Sequence, residues 1–518
     1  MLGLGLGLVA LYRFTSLGLL VDDAFITFRY ADHLAGGLGL TYNEGERVEG
    51  ISSLLWTLLL AGSSALGVPP ELSAPIVGCL FGLGTVIALA ALAHGSFNCG
   101  PIAVVTASAC VLLNTSFGFW APSGMETALF AALVVAGCAL GTSSRVESRK
   151  GAVWLGIVGG ALAATRPEGW ALVGLVPLCL WARRVKRDVF WWGMGTAGGL
   201  SLVQLVFRIL YYGALVPNTY HAKVGLTAPA LARGFDYVAS FLVDEGVLWL
   251  LPLVVFARFR RRGRLAIGLV VMVLTAMVVS VGGDGLYRYR LMVPALPLIA
   301  VLAADGLDRL FCHRKRWGWV GLSFVVCSAV VPLLDDDFFR GHSLAEVSGW
   351  EQRWDDVGRA LARTIPRDAV LATNVAGRVP YRSELATIDL LGLTDPVIAR
   401  QQVGGLGTGY AGHERASPKY VLARHPDLLY ISVLDGMPAE LFCNRAAVQS
   451  ALSSGSLFRY ATLLDEANLP QSYVPAELEI GPSSRAGLFV ARTRTKELSG
   501  RPGITLGTWC GRIRPPDR

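Results

Sequence analysis

Two adjacent acids, Asp22 and Asp23, stand where an apolar run of Gly, Leu, Val and Ala has just ended. Carboxylates in that place suit two jobs. They can take a proton from a hydroxyl held within about 3 Å, or they can favour the positive N-terminus of a helix at the membrane surface. A helical phase through "DDAFITFRYADH" puts Asp22, Ile26, Arg29 and His33 on one stripe, with Phe25, Phe28 and Ala31 on a flank fit for apolar neighbours. "GGLG" at 36–39 should end that helix. Both acids are expected to be exposed, so that replacing either costs little stability.

Five more stretches carry polar residues of both signs. They are "NEGERVEG" (Glu46, Arg47, Glu49), "WAPSGMET" (Glu126), "ATRPEGW" (Arg166, Glu168), "VPNTYHAKVG" (Asn218, His221, Lys223) and "GGDGLYRYR" (Asp284, Arg288, Arg290). Transfer of a sugar from a lipid phosphate would use such a set. The leaving phosphate is already acidic and needs charge neutralisation more than a proton. The acceptor hydroxyl needs a base, and Asp22 or Asp23 can supply it. Arg166, His221, Lys223, Arg288 and Arg290 are the candidates to hold the donor phosphate, arginine being suited to a two-pronged grip. Arg29, Glu46, Arg47, Glu49, Glu126, Glu168, Asn218 and Asp284 are candidates to bind the rest of the substrate. Each of the five cations taken alone fits a snorkelling or headgroup-binding residue equally well.

The elements that must position these groups are membrane spans. The chain has 518 residues, 53% hydrophobic and 16% charged, with a mean hydropathy of +0.50. Soluble chains carry roughly 25% charged residues, and apolar runs of span length, roughly 17–25 residues, recur here up to about residue 334. The formal net charge of +8 does not point to nucleic acid, because the basic residues cluster in short loops. Those clusters are "RVESRK" (145–150), "RRVKR" (183–187), "RFRRRGR" (258–264) and "HRKR" (313–316). An even number of apolar runs separates each from the next, so all four can be cytoplasmic. Residues 1–20 lack the basic start and the A-x-A site of a cleaved signal and read as a first span. "LLWTLLLAGSSALG", short and followed by Pro69–Pro70, reads as an interfacial or re-entrant helix. About eleven spans remain, and every polar stretch above then falls outside.

The ordered set "DDAFITFRYADHLAGGLGLTYNEGERVEGISSLLW" resembles the first outer loop of the C-fold (GT-C) membrane glycosyltransferases. The likeness is nearest to the mycobacterial terminal β-(1→2) arabinofuranosyltransferases and their bacterial relatives. Its parts are Asp22–Asp23, then Asn43–Glu44–Gly45–Glu46–Arg47–Val48–Glu49, then Ser52–Ser53 before Trp56. "SGMET", "TRPEG", "PNTYHAK" and "DLLGLTDP" (389–396) extend the likeness over most of the chain. The resemblance implies an inverting transferase that takes sugar from a polyprenyl phosphate at the outer face of a bacterial cytoplasmic membrane. Its acceptor would be a cell-surface glycan or glycolipid, with arabinofuranose as one candidate sugar and membrane lipid as a partner. It also implies that one acid of the pair is the base. No motif names a cofactor, and a divalent metal stays open. The other reading is a transporter or flippase for a lipid-linked saccharide, which would keep ionisable groups near the bilayer midplane. Gln204 and Arg208 are the main polar residues inside a later span.

Past residue 334 no run is long enough to span. Two domains are therefore expected: a transmembrane domain, 1–334, with a catalytic first outer loop at 21–53, and an extracytoplasmic α/β domain, 335–518. In the second, 349–364 reads as an amphipathic helix, "DAVLATN", "ELATIDLLG" and "DLLYISV" as strands, and "PKYVLARH" as a helix. Asn374, Asp389, Asp395, His413 and Glu414 fall at strand ends or in loops, where they either bind ligand or tie the loops down. One His and one Glu in "GHERASPKY" are too few for a metal site. Of nine cysteines, Cys443 and Cys510 alone belong to this domain, so a disulfide between them is the economical pairing.

Overall fold

The computed structural model of the chain describes residues 12, 15, 18–333, 338–339, 341–435, 437, 443–454 and 469–509. The first expected span, residues 1–20, lies almost wholly outside the described residues. The chain divides into two compact units. Unit 1 comprises Met1–Val21, Ser52–Leu215 and Leu226–Leu344; unit 2 comprises Asp22–Ile51, Val216–Gly225 and Ala345–Arg518.

Unit 1 is helical. Among the described residues, three of its helices are long and apolar enough to cross a membrane: Pro70–Ser96, Arg187–Tyr212 and Arg262–Val281. A fourth candidate is the pair Ala228–Asp244 and Val247–Val255, bent by 75° at a break where Gly246 takes φ 65°. That bend breaks the apolar run between the 183–187 and 258–264 basic clusters that lies nearest the second of them. Leu54–Ala65, Pro101–Leu113, Thr127–Thr142 and Pro167–Trp181 are apolar but shorter. The expectation of about eleven spans thus goes beyond what helix length and composition establish among the described residues. Local signals set the helix ends. Asn114, Ser148 and Thr227 accept hydrogen bonds from backbone N–H groups as N-caps, and Gly213 and Gly282 close helices in the left-handed region. Helices Arg149–Thr165 and Arg187–Tyr212 pack closely through small residues. A Cβ on Gly156 would stand 2.6 Å from the Gly193 carbonyl oxygen, so only glycine allows the crossing. Helix Leu296–His313 is buried along most of its length.

Unit 2 is built on a six-stranded mixed sheet of order β2-β1-β3-β5-β4-β6. The strands are β1 Val370–Thr373, β2 Ala386–Asp389, β3 Leu428–Tyr430, β4 Tyr473–Gly481, β5 Ser484–Ala491 and β6 Ile504–Leu506. β1 pairs in parallel with β2 and β3, as the strand–helix alternation of the sequence requires. The other half is antiparallel, with a long β4–β5 hairpin. Helix Leu344–Thr364 buries Val357, Ala360 and Leu361 against residues of β1, β3, β4 and β5 on one face of the sheet. The other face holds Ile388, Ile398, Val421, Leu429 and Phe489, with Trp509 stacked on Phe489 at 5.5 Å. Cys443 is disulfide-bonded. Its expected partner, Cys510, lies outside the described residues.

Two segments distant in sequence, 22–51 and 216–225, belong to this unit. Helix Asp22–Ala35 forms where the 3–4 periodicity predicts it and ends before Gly36. Arg29 fastens it: its guanidinium donates to the carbonyls of Tyr42 (2.7 Å), Pro380 (2.7 Å) and Leu385 (2.9 Å). Its place on the predicted stripe therefore serves anchorage.

Candidate acid–cation site

Asp22 and Asp23 are neighbours with different surroundings. Asp22 Oδ1 accepts the Arg378 backbone N–H at 2.6 Å, and Oδ2 accepts that of Gly377 at 3.1 Å. Its own N–H donates to Glu351 at 3.2 Å. A Cβ at residue 377 would stand 1.8 Å from the Asp22 carbonyl oxygen, so glycine is required for this approach. Behind it, the Arg378 guanidinium bridges Glu351 (2.7 Å) and Asp355 (3.4 Å) and lies over the Phe25 ring at 4.3 Å. Burial pushes Asp22 up to about 8, the Glu351 carboxylate adds to the rise, and the Arg378 N–H opposes it. Neither acid is exposed. The expectation that both stand free at the surface does not hold, because Asp22 is used to join helix Asp22–Ala35 to the 377–378 turn.

Asp23 keeps an accessible carboxylate. Its side chain is 19% exposed, and Lys223 Nζ lies 3.8 Å from Oδ2. Lys223 comes from helix Asn218–Lys223 and runs along Gly412. Asn218 starts that helix and fixes it: its Nδ2 donates to the carbonyls of Gly392 (2.8 Å) and Leu393 (3.0 Å), and its N–H to that of Glu49 (2.9 Å). Asn218 and Glu49, both expected to touch substrate, meet here through the backbone to hold the helix that presents Lys223. His221 faces Arg400 and Arg415; burial first, then those charges, hold its imidazole below the usual value. At neutral pH it can offer a hydrogen bond to a phosphate but no charge. Glu46 pairs with Arg424 at 3.3 Å, and Arg47 is exposed.

The remaining candidates lie in unit 1, where each arginine is matched to a carboxylate. Arg166 grips Glu168 through Nε (3.2 Å) and Nη2 (3.1 Å), and reaches Glu126 at 2.6 Å. Arg290 pairs with Asp284 at 2.7 Å, and Arg288 with Glu245 at 3.4 Å. Arg288 and Tyr289 hold φ of 38° and 39° in succession, a strained conformation costing on the order of 1–3 kcal/mol per residue. Trp120 steadies that turn by donating to the Arg288 carbonyl at 2.6 Å, and its ring faces the Arg290 guanidinium at 5.6 Å. Arg166, Glu126, Glu168, Arg288, Arg290 and Asp284 thus form buried ion pairs that a phosphate would have to rearrange. The sequence reading missed Glu245, Glu351 and Arg378, which complete these networks. A signal for one of them was present: Glu351 and Asp355 are four apart on the amphipathic helix.

Gln204 and Arg208, the residues a transporter reading would use, make contacts within the unit. Gln204 donates to the Ala163 carbonyl (3.3 Å) and Arg208 to that of Leu215 (3.4 Å). In unit 2, Asn374 exchanges hydrogen bonds with Ser432, Asp389 accepts from Leu391 and Thr394, Asp395 caps a helix, and Glu414 accepts from Gly407 and Gly409. These four tie loops. Among the described residues, no group of three His, Cys, Asp or Glu side chains is placed to share a metal ion. At the acidic pair itself, two N–H donors and an ammonium group already meet the carboxylates, which does not fit a metal's needs.

Comparison with known proteins gives this geometry a setting. Residues 344–478 match a family model described only as a domain of unknown function, DUF8728. The terminal β-(1→2)-arabinofuranosyltransferase of Mycobacterium tuberculosis is 29% identical over 239 residues, which is 43% of this chain. The match spans 37% of that relative's length. Among solved structures, apo ArnT from Cupriavidus metallidurans is similar with a TM-score of 0.52 at 14% identity, over 94% of this chain and 97% of that one. The archaeal oligosaccharyltransferase AglB from Archaeoglobus fulgidus, in complex with an inhibitory peptide and a dolichol-phosphate, is similar with a TM-score of 0.52 at 9% identity, over 95% and 74%. ArnT bound to undecaprenyl phosphate gives 0.51 at 15% identity, over 74% and 85%. The resemblance read from residues 22–56 holds at the level of fold: the chain shares the fold of these GT-C structures, with a small C-terminal sheet.

Proposed function

We propose that this GT-C-fold chain is an inverting glycosyltransferase, moving a sugar from a polyprenyl-phosphate donor to a cell-surface glycan or glycolipid. The observation that carries the reading is the contrast within the acidic pair: Asp22 is tied to the 377–378 turn, whereas Asp23 stays accessible beside Lys223. In the proposed reaction Asp23 takes the proton of the acceptor hydroxyl as that oxygen bonds to the anomeric carbon from the face opposite the leaving group. The carbon–oxygen bond to the lipid phosphate breaks, and the phosphate leaves with the electron pair. Lys223 neutralises part of its charge, and the His221 imidazole can donate a hydrogen bond. Within unit 1, Arg166, Arg288 and Arg290 are kept as proposed donor-phosphate residues, each able to exchange a carboxylate partner for phosphate oxygens, a substitution arginine forks suit.

Arabinofuranose is the sugar the curated relative suggests. About eleven spans in a membrane domain of 1–334, with 335–518 on the outer face of a bacterial cytoplasmic membrane, complete the reading. It is supported by the loop motifs, by the fold, and by solved relatives whose complexes hold undecaprenyl phosphate and dolichol-phosphate. Lipid-linked and envelope glycans of a deletion strain should lack one terminal sugar. The purified chain should transfer that sugar from a synthetic polyprenyl phosphate. Unchanged glycans together with no transfer to any extracted acceptor would refute the proposal.

A further inference from the structure

We propose that unit 1 carries a separate anion-binding site where three of its basic loops meet, and that its occupant is the headgroup of an anionic phospholipid. The site does not depend on the transfer reaction proposed above.

A cavity of about 710 Å³ is lined by Arg183 and Arg184 of "RRVKR", Arg261, Arg262 and Arg264 of "RFRRRGR", and Glu147 of "RVESRK". Its size is that of a small-molecule site, roughly 300–1,000 Å³. Five arginines thus line it, with one carboxylate residue. Arg183 is paired with Glu147, and Arg264 with Asp305 at 2.9 Å; in the lining itself arginine outnumbers carboxylate five to one. Packing like charges together without an anion is unfavourable near a low-dielectric boundary.

Two details indicate that the cations are held for a ligand. Arg184 adopts φ 53°, the left-handed region, at a turn where glycine or asparagine would be unstrained. Arg183 Nε is enclosed and has no hydrogen-bond partner among the described residues. A phosphodiester oxygen entering the cavity would supply one, and guanidinium forks match phosphate geometry.

The surroundings favour a lipid over free phosphate. Helix Arg262–Val281, one of the three clear apolar spans, starts at the cavity. It exposes Leu265 (60%), Leu269 (36%) and Met272 (67%) at i, i+4 and i+7, an apolar track that an acyl chain can follow away from the rim. Trp181, 72% exposed and two residues before Arg183, is of the type that anchors at the headgroup level. Basic pockets between membrane helices bind anionic headgroups in general.

The test is native mass spectrometry of the full purified chain, exposed in turn to phosphatidylglycerol, phosphatidylcholine and inorganic phosphate. Phosphatidylglycerol should be retained over phosphatidylcholine. The double variant Arg184→Gln/Arg261→Gln should retain about tenfold less of it or lower, while Arg184→Lys/Arg261→Lys retains it. Lys150→Gln/Lys186→Gln, which alters exposed cations outside the lining, should bind as the parent does. Equal loss in that control would mean a diffuse surface field and overturn the site. Unchanged retention in the Arg→Gln pair, equal loss in the Arg→Lys pair, or retention of inorganic phosphate without lipid would each overturn it too.

Discussion

Lys223 Nζ lies 3.8 Å from Asp23 Oδ2, an ammonium and a carboxylate drawn from two helices distant in sequence and both still partly open to solvent. Asp22, one residue away, has both carboxylate oxygens engaged by backbone N–H groups. That asymmetry leaves one acid partly open beside an ammonium group and ties the other to the 377–378 turn.

Asp23→Asn should therefore abolish sugar transfer, by about 10² or more, the usual loss on removing a general base. Its melting temperature should stay near that of the parent. Asp22→Ala should behave differently. It strips the acceptor from two N–H groups, at roughly 1–3 kcal/mol for each that remains without a partner. Thermal melting combined with a transfer assay distinguishes the two. A stable, fully active Asp23→Asn would remove Asp23 from the chemistry.

The raised pKa of Asp22 has a sign that can be checked. Folding lifts it from 3.8 to about 8, so the folded chain binds this proton more tightly than the unfolded one. The associated stability is fully present below about pH 4 and is lost as pH rises through about 8. Denaturation in detergent at a series of pH values should show that decline, and Asp22→Asn should flatten it. A decline of the same slope in Asp22→Asn would place its origin elsewhere.

Lys223→Gln removes the positive charge beside Asp23 and keeps much of the side-chain length. If Lys223 meets the donor phosphate, kcat/KM for the lipid donor should fall roughly tenfold or more, about 1.4 kcal/mol. The loss should appear chiefly in KM for the donor, with little change for the acceptor. A fall in kcat alone would argue that Lys223 serves the orientation of Asp23 instead.

Peptide mapping without reductant should link Cys443 to Cys510, with the other seven cysteines free thiols, as they are in the structure. Cys510→Ser should lower stability by up to about 4 kcal/mol in the chain-entropy account. A Cys510 thiol that alkylates quantitatively in the native, unreduced chain would exclude that pairing.

Helix Asp22–Ala35 and strands β1 to β3 were legible in the sequence because local physics dictates them. Apolar residues repeat at 3–4 along the helix, Gly36–Gly37 stop it, and short β-branched runs alternate with helical segments. The β4–β5 hairpin was not read. Its strands "YVPAELEIG" and "SRAGLFVA" carry charge and proline, and they become a sheet only by pairing with β3 and packing Val474, Leu488 and Val490 into the core. The polar loop residues were legible as a set, since acids and cations have few other uses beside so many apolar runs. Their division of labour was not. Arg29 reads as a substrate ligand until its donors are seen on three carbonyls, and Arg166, Arg288 and Arg290 read as open cations until Glu126, Glu168, Glu245 and Asp284 are found against them. Asp22 and Asp23 are chemically identical in the sequence. Only tertiary structure brings Gly377 and Arg378 to one and Lys223 to the other, because a charge's role depends on which distant groups the fold sets within a few ångströms of it.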